Sequence, residues 1–280
     1  MEYVTFGPTD LKVSRMGLGC MSMSGVYGPA DDNESITTLH RAFDLGVNFL
    51  DTSASYGNGH NHELIAKALK GRREKIVIHS KSGSPRGGSS PEFLIKTCEE
   101  SLKRLDIDVL DIFCMSRIDP GVPVEESVGG MARLVQQGKA RYIALSEAGT
   151  TSIRRAQKVH PIVSMQTEYS LWSRDAEDGI IQACREFSMG FMAYSPLGRG
   201  FLAGAIRDIK NIPNNDSRRD QPRFQPENIE YNLKLLSQIE ELAREKWLNF
   251  SFSKTPAHRS GFHSNAGKFL LGAGPLVRSL

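Results

Sequence analysis

Cysteine is sparse in this 280-residue chain, and Cys20, Cys98, Cys114 and Cys184 stand far apart with no C-x-x-C spacing. That scarcity argues against a zinc site or a disulfide framework and suits a reducing compartment, so no metal is expected and the expected location is cytoplasmic. No apolar run approaches the ~18 residues that mark a membrane span. The opening MEYVTFGPTDLKVSRMG also lacks the apolar stretch of a secretory signal. No membrane association is expected. A charge excess of one sign is missing too: 35 Lys and Arg against 32 Asp and Glu leave a net charge of +3. Nucleic-acid binding wants a concentrated basic stripe, and none is present. A nucleotide-binding G-x-G-x-x-G is incomplete, since Gly17-Leu18-Gly19-Cys20-Met21-Ser22 lacks the third glycine. There is no linker, no low-complexity tract and nothing that sets an oligomeric state.

What is present is an alternation of short apolar runs with amphipathic stretches. Strands are expected at Arg15–Cys20, Asn48–Ser53, Lys75–Lys81, Val109–Met115, Ala140–Ser146, Ile162–Tyr169 and Gly190–Pro196. Their Val, Ile, Leu and Phe content reads as burial on both faces, which favours parallel pairing. Helical patterns follow each one. Ile36, Leu39, Ala42 and Phe43 share a face, with Asp31 or Asp32 placed to cap it. Ser90 and Pro91 open another helix, whose inward stripe is Leu94, Cys98, Leu102 and Leu105. Further helices are expected at Val124–Gln137, Thr151–Val159, Asp175–Phe187 and Pro226–Lys246. Seven βα units in a chain of this length point to an α/β fold, a TIM barrel of roughly 250 residues or a doubly wound sheet, and the incomplete glycine motif favours the barrel. Tyr3–Val13, broken at Gly7-Pro8, reads as a hairpin that caps one barrel mouth, and Asp208–Gln225 reads as a long extended loop.

In such a barrel the reacting groups belong at the C-terminal ends of strands. Asp51 ends the second strand, Tyr56 follows in the loop, and Lys81 ends the third. A lysine beside a tyrosine hydroxyl favours the phenolate, so a Tyr56 pKa lowered toward neutrality is expected. An aspartate beside the lysine would hold it and compensate its charge. Each residue also has an ordinary reading taken singly: a loop-bonding carboxylate, turn chemistry, a solvated strand end. Their placement at successive strand ends favours chemistry.

The stretches GLGCMSMSGVYG (17–28), GVNFLDTSASYGNG (46–59), HELIAKALKGRREKIVIHSK (62–81), SLKRLDIDVLDIF (101–113), GKARYIALSEA (138–148), QTEYSLWSRD (166–175) and AYSPLGRGFL (193–202) occur in order. Together they resemble the aldo-keto reductases of the open-chain aldehyde and ketone type. The resemblance implies a (β/α)8 barrel that binds NADPH across its C-terminal mouth and transfers hydride to a small-molecule carbonyl substrate. It assigns Tyr56 as proton donor, with Lys81 and Asp51 tuning it. Ser146 and Gln166 would bond the nicotinamide carboxamide, and Tyr194 would stack on the ring. Ser195, Leu197, Gly198, Arg199 and Gly200 would wrap the pyrophosphate, and Cys20 and Met21 would join the cofactor-binding residues.

Two stretches depart from the family pattern. Its fourth catalytic residue is a histidine after strand four, where Cys114-Met115-Ser116-Arg117-Ile118-Asp119 places Ser116. A serine is shorter and reaches a carbonyl through a water, while Met115 is expected to make that wall more apolar. The tail departs as well. Thr255-Pro256-Ala257 is a fragment of the expected motif, and neither the eighth strand's pattern nor the basic residue for the cofactor's 2′-phosphate follows it. The eighth βα unit is therefore expected to be altered or missing, with Phe269–Leu271 at best a short strand. The expected division is a barrel over 1–246 and a divergent tail over 247–280, leaving strands one and seven with open edges. The loop Ser82–Ser90 is short and would open one side of the mouth. Alongside reduction, a non-redox regulatory barrel and a lyase or cyclase using Tyr56 and Lys81 stay open at this point.

Overall fold

The computed structural model describes residues 1–83, 88–245 and 268–271, the last by backbone alone. Two short strands, β1 (Tyr3–Thr5) and β2 (Lys12–Ser14), form an antiparallel hairpin. Seven strands then pair in parallel: β3 (Met16–Gly19), β4 (Phe49–Ser53), β5 (Val77–Lys81), β6 (Leu110–Met115), β7 (Ala140–Ser146), β8 (Ile162–Glu168) and β9 (Gly190–Tyr194). Each lies within its expected span. β10 (Lys268–Leu271) closes the barrel between β9 and β3, antiparallel to both. The altered eighth unit is thus an inverted strand, and the expected open edges of the first and seventh strands are paired rather than exposed.

The helices α1 (Asp32–Asp44), α2 (His60–Ala68), α3 (Pro91–Leu105), α4 (Val124–Gln136), α5 (Thr150–Gln157), α6 (Ile180–Glu186) and α7 (Pro226–Glu245) complete the described chain. None is long and apolar enough to cross a membrane. Asp31, not Asp32, caps α1 by accepting the Glu34 N–H at 2.8 Å, and Ser90 caps α3 through the Phe93 N–H. The helix expected over Asp175–Phe187 is instead a single turn followed by α6. Gly179 sits between them at φ 85°, a left-handed conformation that stops the helix.

Strand side chains alternate between two environments. Leu50, Ile78, Phe113, Met115, Leu145 and Phe191 meet the helix layer. Phe49, Val77, Ile112, Ala144 and Met192 fill the barrel interior with Phe6, Leu11 and Val13 of the hairpin. The hairpin therefore plugs the bottom, as expected. Gly7 makes this possible: at φ +57° its ideal Cβ would stand 2.3 Å from the Val163 carbonyl oxygen. An apolar floor leaves the polar inward positions stacked toward the opposite mouth. The same alternation corrects the expectation for Met115, which faces the helices and not the cavity.

Candidate functional site

The cavity at that mouth has a volume of about 370 Å³, and its wall includes Met21, Tyr27, Tyr56, Lys81, Ser116, Arg117, Ser146, Gln166, Tyr194, Ser195 and Arg199. Most of the residues singled out from the sequence are thus brought together. Asp51 lies beneath the wall, fully buried, while Cys20 packs into the core. Leu197, Gly198 and Gly200 follow β9 behind Arg199 and do not line the cavity.

Asp51 is the hub. Its Oδ2 accepts from Lys81 Nζ at 2.6 Å, and its Oδ1 accepts from His79 Nδ1 and Gln166 Nε2, each at 2.8 Å. Lys81 also donates to the Thr52 carbonyl at 2.9 Å. β4 and β5 pair in register at Asp51–His79 and Ser53–Lys81, so alternation points His79 and Lys81 to the same interior. Burial alone would favour the neutral amine of Lys81. The Asp51 carboxylate and the neighbouring Tyr56 outweigh it and hold the ammonium above the ordinary lysine range.

Lys81 Nζ stands 5.0 Å from the centre of the Tyr56 ring. The phenol is nevertheless pushed up to about 12. Burial is the largest cause, Lys81 opposes it, and Asp51 reinforces it. The expected lowering of Tyr56 is therefore reversed, because desolvation of the phenolate outweighs one cation whose charge Asp51 already compensates.

Ser116 is fastened at the top of β6. Its Oγ accepts from the Gly83 N–H at 2.8 Å, and its own N–H donates to Ser82 Oγ at 3.2 Å. The loop over Ser82–Ser90 is anchored there, although 84–87 lie outside the described residues. Tyr194 is raised by burial and by hydrogen-bonded Glu147. Arg199 donates to Tyr27 Oη at 3.3 Å and to Glu168 Oε2 at 3.4 Å. The segment expected as an extended loop is a series of single turns strapped over this end of the site. Asp216 and Arg218 form a buried pair, Arg218 donates to the Arg199 carbonyl at 3.1 Å, and its guanidinium lies 4.8 Å from the Tyr27 ring centre.

Sequence reasoning missed His79, Arg117 and Tyr27. His79 carried a legible signal, two residues before Lys81 on a strand whose side chains alternate. Arg117 follows a strand end and carried a weaker one. Tyr27 and Arg218 meet only through the fold.

The closed barrel thus carries a buried Asp–Lys pair beneath a tyrosine at its mouth. The chain belongs to the aldo/keto reductase family, whose model matches residues 15–251. It is 43% identical over 254 residues to a probable aldo-keto reductase of Glycine max, covering 88% of this chain and 73% of that protein. Among solved structures, a glycerol dehydrogenase of Gluconobacter oxydans matches with a TM-score of 0.76 at 27% identity, over 89% of this chain and 80% of that one. The holo form of an aldo-keto reductase of Bacillus halodurans matches with a TM-score of 0.65 at 29% identity, over 72% and 68%. Membership makes the chain an oxidoreductase of carbonyl chemistry that works with a nicotinamide cofactor.

Proposed function

We propose that this protein reduces an aldehyde or ketone to an alcohol with NADPH, and that Tyr56 delivers the proton. The observation that carries the reading is the Tyr56–Lys81–Asp51 stack: a phenol at the cavity wall, a cation 5.0 Å from its ring centre, and a carboxylate 2.6 Å behind that cation.

The residues present fit a nicotinamide dinucleotide. Among the described residues, Arg199 Nε is buried without a hydrogen-bond partner. Gly198 and Arg199 share left-handed backbone, at φ 57° and 56°. A Cβ on Gly198 would come within 3.0 Å of the Leu202 side chain. Arg199, with Ser195, Leu197, Gly198 and Gly200 around it, would hold the pyrophosphate. Ser146 and Gln166 would hold the carboxamide, Tyr194 would lie against the ring, and Met21 would flank it, while Cys20, buried in the core, would stay behind that wall. When bound, the reduced nicotinamide supplies a hydride to the carbonyl carbon.

The chain's own part is the proton. With its value near 12, Tyr56 is a phenol at neutral pH and always carries the proton it must give. As the C=O bond becomes C–O⁻, the phenolic O–H donates to that oxygen, and the O–H bond breaks toward the new alcohol. The phenolate left behind is stabilised by the Lys81 ammonium, which Asp51 keeps in place. Ser116 stands where the family pattern has a histidine, and its Oγ is engaged by the Gly83 N–H.

Tyr56→Phe tests this. Reduction should fall by at least about 10²-fold, the usual worth of a positioned acid, while NADPH binding by fluorescence titration stays within a factor of two or three. Wild-type turnover in the variant would end the assignment. A folded protein that binds neither NADPH nor NADH would move the reading to a non-redox barrel.

A further inference from the structure

The cations of the cavity wall differ in one respect. Lys81 is paired with Asp51 and Arg199 with Glu168. Among the described residues, the wall contributes no aspartate or glutamate, yet it includes Arg117. Among the described residues, no carboxylate makes an ion pair with Arg117. Its guanidinium is held by neutral groups: Nη1 donates to the Ser116 carbonyl at 2.7 Å and toward Ser146 Oγ at 3.4 Å. Both contacts run through Nη1. They draw the group across the gap between the ends of β6 and β7, on the wall where Ser116 stands.

The hydroxyl of Ser116 accepts the Gly83 N–H and offers that wall one short, neutral O–H donor. Arg117 presents a positive charge and a planar set of N–H donors. A guanidinium matches a carboxylate with two parallel hydrogen bonds. A cation with no acidic partner at a cavity wall gains most when a ligand brings the counter-charge.

We propose that Arg117 is a specificity-determining residue that selects carbonyl compounds bearing a carboxylate. The assignment rests on the reductase reading for its substrate but not for its anion site. The carboxylate docks on Arg117 while the carbonyl faces Tyr56, so the charge orients the reacting group without taking part in the chemistry.

Two measurements test it. Benzoate and its neutral analogue benzamide are titrated calorimetrically into the wild type, Arg117→Gln and Arg117→Lys, each shown to be folded by circular dichroism. Then 4-carboxybenzaldehyde and its methyl ester are compared as substrates with NADPH. Benzoate should bind the wild type at least tenfold more tightly than benzamide. That gap should collapse in Arg117→Gln and survive in good part in Arg117→Lys. The acid's advantage over the ester in kcat/KM, carried in KM, should follow the same order. Equal binding of benzoate and benzamide, or a gap that persists in Arg117→Gln, overturns the proposal. If the benzoate gap behaves as stated while neither aldehyde is reduced, the anion site stands and the reductase reading fails.

Discussion

Burial and Lys81 act on the Tyr56 proton in opposite directions, and burial wins. In the proposed reaction this divides the labour: the low-dielectric wall would keep the proton on the phenol until it is needed, and the cation would lower the cost of its leaving. Beside it, Ser116 Oγ accepts from the loop while lining the cavity. Ser116→His would put an imidazole donor on that wall at the expense of the Gly83 contact. Turnover should rise by about 10-fold or more if the imidazole is the limiting absence, since a positioned acid–base partner is commonly worth 10²–10⁴-fold. The check is kcat for an aromatic aldehyde, with unchanged kcat assigning the limit elsewhere.

At the scale of elements, α2 and β5 meet through a buried histidine. His62 Nε2 contacts Ser80 Oγ at 3.0 Å, on the face of β5 opposite His79 and Lys81, and its Nδ1 is buried with no partner among the described residues. Burial, with smaller contributions from the Arg104 and Lys81 charges, pushes the imidazole down to about 3. The folded protein therefore refuses a proton that the unfolded chain accepts near the ordinary histidine value. Stability from this contact is fully present above about pH 6.5 and is lost as the pH falls toward 3. Urea midpoints measured at pH 7 and pH 4.5 should drop for the wild type. The drop should be smaller for His62→Gln, which keeps a hydrogen-bonding group without the titration. Equal drops would assign the acid sensitivity to other groups.

At the scale of the whole molecule, closure rests on β10, which pairs with Phe191–Ala193 on one side and Met16–Gly17 on the other. Ending the chain at Glu245 would leave β3 and β9 as unpaired edges, which seek other strands. The shortened protein should melt several degrees lower and self-associate on size-exclusion chromatography, whereas an unchanged monomer would show that closure contributes little. Period and composition made β3 to β9 and most helices legible, because buried parallel strands and amphipathic helices write their partners into local order. Asp51, Tyr56 and Lys81 were legible because strand ends in such a barrel converge on one mouth. The bond from Gln166 to Asp51 spans 115 residues, and no local pattern encodes which polar groups converge on one carboxylate. The sign of the Tyr56 shift was also hidden, since it is a balance of desolvation against charges that only packing brings together. The direction of β10 and the neutral partners of Arg117 belong to the same group. By itself, the sequence determined which segments are strands, which faces they bury and which residues stand at the mouth, all consequences of short-range periodicity. The tertiary structure decided how charges are matched, which proton is held and how the barrel closes, because those depend on distances between groups far apart in the chain.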